Sequence, residues 1–244
     1  MRPAALICGN DLRLLAADPY PVIVLILMPL VLLGFLSDGL AGGPGQSVPG
    51  LMMLFAFLGL YNVGLAFFRD HGWRTWSRMR TYPVGAAQIV LGKSVPLITM
   101  YLLQSIVLLG AGWAVFGMPM EGSPATLALV VVVIVGALYA LGLLLVSLCR
   151  TMNQVTAVAN LGGLLLAGLG GALAPVENLP SWAERLAPFS PVYWALQAIQ
   201  GVIVDGKGVS ELGGSLGVLG ATAVVAWTMA LARFDVTQTK EFYS

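Results

Sequence analysis

Charged residues cut the chain into long apolar runs. No charge falls in 19–37 between Asp18 and Asp38, in 51–68 before Arg69, or in 94–120 between Lys93 and Glu121. The same holds for 122–149 before Arg150, 151–176 before Glu177, and 212–232 between Glu211 and Arg233. A membrane helix needs about 20 mostly apolar residues. The pattern therefore predicts six transmembrane helices, at about 20–38, 50–68, 94–117, 125–149, 153–175 and 212–233, with 39–50 as a Gly/Pro-rich turn. The fold class is an all-α integral membrane protein. A seventh uncharged run, 186–204, holds Pro188, Pro191, Gln197 and Gln200. It reads instead as two short helices within 178–205, beyond the membrane. Ser181 with Glu184 resembles a capping box, and Ser190 before Pro191 an N-cap followed by a first-turn proline.

The basic residues set the orientation. With both termini cytoplasmic, Arg2, Arg13, Arg69, Arg74, Arg78, Arg80, Lys93, Arg150, Arg233 and Lys240 lie inside. Only Arg185 and Lys207 lie outside, as the positive-inside rule requires. Composition agrees: of 244 residues 58% are hydrophobic and 9% charged, with net charge +1 and mean hydropathy +0.89. Soluble domains carry about 25% charged residues, so a soluble enzyme is excluded. A nucleic-acid binder needs a basic footprint that is absent here. Cys8 and Cys149 form no framework, and the single His71 builds no metal site.

No ionisable residue sits mid-span, which argues against a proton-coupled carrier. The polar span residues are chiefly hydroxyls and amides whose ordinary use is interhelical hydrogen bonding, worth about 0.6 kcal/mol each. Asn62, Gln104 and Asn160 are the candidates for a substrate path, since an unpaired amide is costly in lipid. Gly92-Lys93-Ser94 ends like a phosphate-binding loop, but Ala87 stands where G-x-x-x-x-G-K-[ST] requires its first glycine. The chain has no nucleotide site of its own. Gly213, Gly217 and Ala221 form a small-residue face on the last span, and Gly162, Gly163 and Gly168 permit close approach to the fifth.

Segment 69–93 concentrates five basic residues and two tryptophans. A helix over 72–80 would gather Trp73, Trp76 and Met79 on one side and set Arg74 and Arg78 opposite. Such a helix serves as an interfacial anchor or as a docking site for a partner.

The run Thr75-Trp76-Ser77-Arg78-Met79-Arg80-Thr81-Tyr82-Pro83-Val84, followed by Ile89-Val90-Leu91-Gly92-Lys93, resembles the segment G-T-W-E-R-L-R-A-x-P-V…I-L-L-G-K of the type-2 ATP-binding-cassette permease family. Arg74, Ser77 and Asp70 depart from that family's Gly, acid and Glu. After the fifth span, Pro175, Leu179, Pro180, Trp182, Pro191 and Tyr193 resemble its P-x-x-x-L-P-x-W…N-P-x-x-Y, with Ser190 in place of Asn. The resemblance implies a single transmembrane permease domain over 1–244, multi-pass in a bacterial cell membrane. It would belong to an exporter of drug-like or lipid-like amphiphiles. ATP and Mg would be bound by separate ATPase subunits, and a second permease subunit would complete the path; this chain itself would have no catalytic site. It implies that 69–83 is a coupling segment, with Asp70, Trp73, Thr75, Trp76, Arg78 and Arg80 meeting the ATPase. Pro175, Pro180, Trp182, Pro191 and Tyr193 would form an external gate. Competing readings are a membrane-embedded partner-binding or immunity protein, and an ion-coupled carrier or channel.

Overall fold

In a computed structural model of the chain, the structure describes residues 2–36, 42–72 and 85–233. These residues are all-helical: α1 Arg2–Ala17, α2 Tyr20–Leu36, α3 Pro44–Leu58, α4 Tyr61–Gly72, α5 Ala86–Ala114, α6 Pro124–Leu148, α7 Met152–Leu169, α8 Ser181–Leu186, α9 Pro191–Ile203 and α10 Gly213–Arg233. Among the described residues five stretches are long and apolar enough to cross a membrane, namely Pro44–Asp70, Ala87–Ala114, Pro124–Leu148, Met152–Leu169 and Gly213–Arg233. A sixth is the pair α1 and α2, bent by 58° at its break. In that pair α2 supplies 17 apolar residues, about 26 Å of helix at 1.5 Å per residue, and α1 carries the polar residues Asn10, Asp11 and Arg13.

Three boundaries and one break differ from the spans read off the charges. The region expected as a turn, 39–50, contains the start of α3. Gly42 and Gly43 adopt φ of 91° and 68°, and Pro44 then opens the helix at a position where its missing N–H costs nothing. The second span is broken at Gly59, where α3 ends. Its carbonyl accepts the Tyr101 hydroxyl at 2.8 Å, so the interruption leaves that group satisfied. Helix α5 begins at Ala86 and so contains Lys93, which the charge rule had set at a span boundary. Helix α7 ends at Leu169, and Gly171, with φ 88°, turns the chain away before 175.

The broken helix α3–α4 is the core of the bundle. It packs against α2, α5, α6, α7 and α9 and is 72% buried over its most apolar window. By contrast α7 and α10 are 22% buried, α10 resting mainly on α6 and α9. One end of the bundle gathers 42–50, 117–123 and 170–212. There the Glu121 N–H donates to the Ile203 carbonyl at 3.1 Å. A Cβ at Gly50 would collide with the Ala172 carbonyl oxygen, and one at Gly122 would lie 2.5 Å from that of Val202. The opposite end holds Asp11, Arg69, Asp70 and Lys93.

Candidate functional site: two polar ends of an apolar bundle

The first end is charged. Lys93 lies on the inner side of α5, 1% exposed. Its Nζ is 2.6 Å from Asp70 Oδ2 and 3.0 Å from Asp11 Oδ2. It also donates to the Ala66 carbonyl at 2.8 Å, and it lies 5.5 Å from the centre of the Phe67 ring. An arginine joins the group, Arg69 standing 3.8 Å from Asp11 Oδ1. Two cations and two carboxylates thus balance, as buried charges must to survive outside water. The sequence reading missed this cluster. Nothing in local spacing brings Asp11 to Lys93, since that contact depends on α1 packing along α5. Close approach of these two helices needs Gly92, where a Cβ would stand 2.9 Å from the Ala4 carbonyl oxygen.

Of the residues expected to meet an ATPase, only Asp70 is described, as the partner of Lys93. Trp73, Thr75, Trp76, Arg78 and Arg80 lie outside the described residues, as does the helix expected over 72–80 apart from Gly72.

The candidate path residues differ in burial. Asn62 is buried in α4 and its Oδ1 has no hydrogen-bond partner. It borders a cavity of about 50 Å³ together with Asp11, Arg69 and Met100. Gln104 is wholly buried: its Nε2 donates to the Met52 carbonyl at 3.3 Å, and its Oε1 has no partner. Asn160 is exposed on the outward face of α7. On the same helix a Cβ at Gly163 would press on the Phe57 backbone at 3.1 Å, whereas Gly162 and Gly168 face open space, as do Gly213 and Gly217 on α10.

At the second end the buried network is made of amides, not ions. Gln46 near the start of α3 donates to the carbonyl of Gly171 and accepts from the Gln200 amide of α9. One turn earlier, Gln197 Nε2 donates to the Tyr193 hydroxyl at 2.7 Å. These groups, with Pro175, Val176 and Glu177, line a cavity of about 140 Å³. Two of the expected gate residues, Pro175 and Tyr193, therefore share one cavity. Trp182 and Pro180 are exposed, and Pro191 opens α9. Here Ser190 is the N-cap as expected: its Oγ accepts the Val192 N–H at 3.2 Å and donates to the Leu166 carbonyl at 2.7 Å. The capping box does not form. Helix α8 starts at Ser181 itself, capped by Pro180 without a side-chain bond. Helix α9 is not a surface helix, since Val192, Ala195, Ala198, Ile199, Val202 and Ile203 are fully buried.

Among the described residues the apolar bundle carries a buried ion cluster at one end and hydrogen-bonded amides at the other, with no Asp, Glu, Lys, Arg or His between them. Residues 37–232 match a family model described as "ABC-2 family transporter protein". The chain belongs to the ABC-2 transporter family. It is a multi-pass bacterial membrane protein and a permease subunit of an ABC transporter. It is similar to the linearmycin resistance permease protein LnrN of Bacillus subtilis, 26% identical over 210 residues that cover 84% of this chain and 54% of that protein. It is also similar to the probable multidrug ABC transporter permease YbhR of Escherichia coli, 29% identical over 146 residues that cover 59% and 40%. The chain thus spans about half the length of the curated relatives it matches. No solved structure gives a significant match.

Proposed function

We propose that this permease forms half of an ATP-driven exporter, completed by a second permease subunit and by separate ATPase subunits that bind ATP and Mg. The carrying observation is the ion cluster. Asp70 and Lys93 flank 73–84 in sequence, and their bond, shared with Asp11, ties α1, α4 and α5 to one another. A push delivered through 73–84 would then move the three helices together. Trp73, Thr75, Trp76, Arg78 and Arg80 are then the contacts with the ATPase, and the charged end faces the cytoplasm, in keeping with the ten-to-two division of basic residues. The amide end faces outward, with Pro175, Pro180, Trp182, Pro191 and Tyr193 as its gate. Exposed Asn160, with the open Gly162 and Gly168 after it on the same helix, supports α7 as the contact with the second permease. Asn62 and Gln104 are assigned to the path because each carries an unpartnered buried oxygen. An amphiphilic, drug-like cargo suits walls this apolar, and the names of the two relatives point the same way.

The test is co-expression with the P-loop ATPase of the chain's own operon. We expect a stable complex whose ATP hydrolysis the permease stimulates. The double variant Trp76→Ala, Arg78→Glu should insert normally yet lose stimulation and export. In a chain lacking Cys8 and Cys149, cysteines at Ser77 and Glu184 should label from opposite sides with an impermeant thiol reagent. Transport by the chain alone on an ion gradient, or same-side labelling, would overturn the reading.

A further inference from the structure

The amide-lined cavity has a chemistry that the exporter reading does not use. Its polar lining is three glutamine amides, one phenol and one carboxylate, Glu177; Leu196 and Val176 supply a short apolar strip. No Lys, Arg or His borders it, so no positive charge there attracts an anion and Glu177 repels one. A cation would find one exposed carboxylate and a single aromatic ring, too little for a cage. The internal bonds leave specific capacity over. Gln46 uses its oxygen on Gln200 and one N–H on Gly171. Gln197 uses one N–H on the Tyr193 hydroxyl. The Tyr193 proton, the oxygens of Gln197 and Gln200, and a second N–H on each amide are still available. Spare donors and spare acceptors thus share one lining, and adjacent hydroxyls, each both donor and acceptor, can meet both kinds. About 140 Å³ holds several groups of water size, at about 30 Å³ each.

The backbone fixes this wall. Gly171, with φ 88°, turns its carbonyl to Gln46, and a side chain there would meet Val176 at 2.8 Å. Gln46 then joins α3, α9 and the exit from α7, so the Gln46 and Gln200 amides are pre-set and a ligand need not order them.

We propose that this cavity is a hydroxyl-reading site, which binds the adjacent hydroxyls of a neutral polyhydroxylated headgroup on an amphiphile as it leaves the bundle. The placement at the outer end rests on the exporter reading, and the ligand class rests on the lining alone.

The test uses the full chain in phospholipid nanodiscs and two probes with the same tail, octyl glucoside and octyltrimethylammonium, both below their micelle thresholds. We expect saturable binding of octyl glucoside at least ten times tighter than that of the cation. Tyr193→Phe removes one hydroxyl and keeps the ring; Gln197→Leu changes an exposed position. Each should weaken octyl glucoside at least five-fold and leave partition of the cationic probe unchanged, and neither should disturb the fold. Equal, unsaturable partition of both probes would overturn the proposal. So would tighter binding of the cation, or an unchanged affinity in both variants. The same nanodiscs are assayed for binding of the partner ATPase. ATPase binding without glucoside binding removes the site and leaves the exporter, whereas glucoside binding without ATPase binding does the reverse.

Discussion

The two ends of the bundle solve one problem with different chemistry. At the charged end, Lys93 is held by two carboxylates and a carbonyl. At the other, Gln46 is held by an amide and a carbonyl. Both networks join three pieces of chain inside apolar surroundings. Ions give long-range force and a large penalty for any missing partner; amides give direction and a small one. The charged network suits a junction that must move as one body. The amide network suits a junction that must open, since its bonds exchange for bonds to water or cargo at little net cost.

The comparison makes its largest claim at Lys93. Lys93→Ala leaves two buried carboxylates facing one arginine, and losing one partner of a buried ion pair costs about 3–5 kcal/mol. We expect a loss of that size in reversible unfolding in bicelles. Lys93→Met with Asp70→Leu removes both members of the closest pair, leaves Asp11 with Arg69, and should cost less than either single change. Strictly additive losses would mean that the cluster is not a unit.

Next comes Gln46→Leu. It strands the Gly171 carbonyl and the Gln200 amide, and an unsatisfied buried polar group costs about 1–3 kcal/mol. The same unfolding measurement should place it clearly below Lys93→Ala. A loss equal to or above that of Lys93→Ala would erase the distinction between the ends.

Legibility in the sequence followed the physics that shaped each part. Lipid forbids unpaired charge, so uncharged runs mark the helices wherever both faces meet lipid or apolar neighbours, as in α2, α6 and α10. The same rule misplaced the start of α5, because Lys93 is inside the bundle and its acids come from helices far away in sequence. Helix α1 went unread because Asn10, Asp11 and Arg13 make it too polar to span, and its polar side is what builds the cluster. Gln46 was hidden in a stretch whose glycines and prolines read as a turn, although two positive-φ glycines and a first-turn proline also describe a helix start. Of the path candidates, spacing could not tell the buried Asn62 and Gln104 from the exposed Asn160, since only packing decides which face of a helix is covered. Ser190 was legible because a cap is a local device, read from its own position and the proline after it.

That cap gives a smaller, local test. Ser190→Ala should cost about 1 kcal/mol, within the 0.5–2 range for N-caps. Its effect should concentrate in hydrogen exchange of the first turn of α9, with the charged end unmoved. Ser190→Asn, which keeps an acceptor at the cap, should restore most of the protection. Faster exchange around Lys93 would show that the two ends are coupled through the static structure.

The smallest expected effect is the sharpest control. Lys207 and Asp205 form an ion pair of 2.7 Å, almost the 2.6 Å of Lys93 and Asp70. The side chain of Lys207 is 45% exposed, that of Lys93 1%. Water has already solvated the exposed pair, so its making gains little and its breaking strands nothing. The hydrogen bond to Asp205, and then its charge, raise the Lys207 pKa above its usual 10.5. A raised pKa adds stability that is complete below the unfolded value and is lost only as pH climbs through the folded one. Any contribution is therefore flat from pH 5 to 9 and fades only above 10.5. Lys207→Ala should leave the unfolding midpoint unchanged across that range and in high salt. If it destabilises the chain as Lys93→Ala does, burial is not what separates the two pairs, and the contrast between the charged junction and the rest of the molecule falls with it.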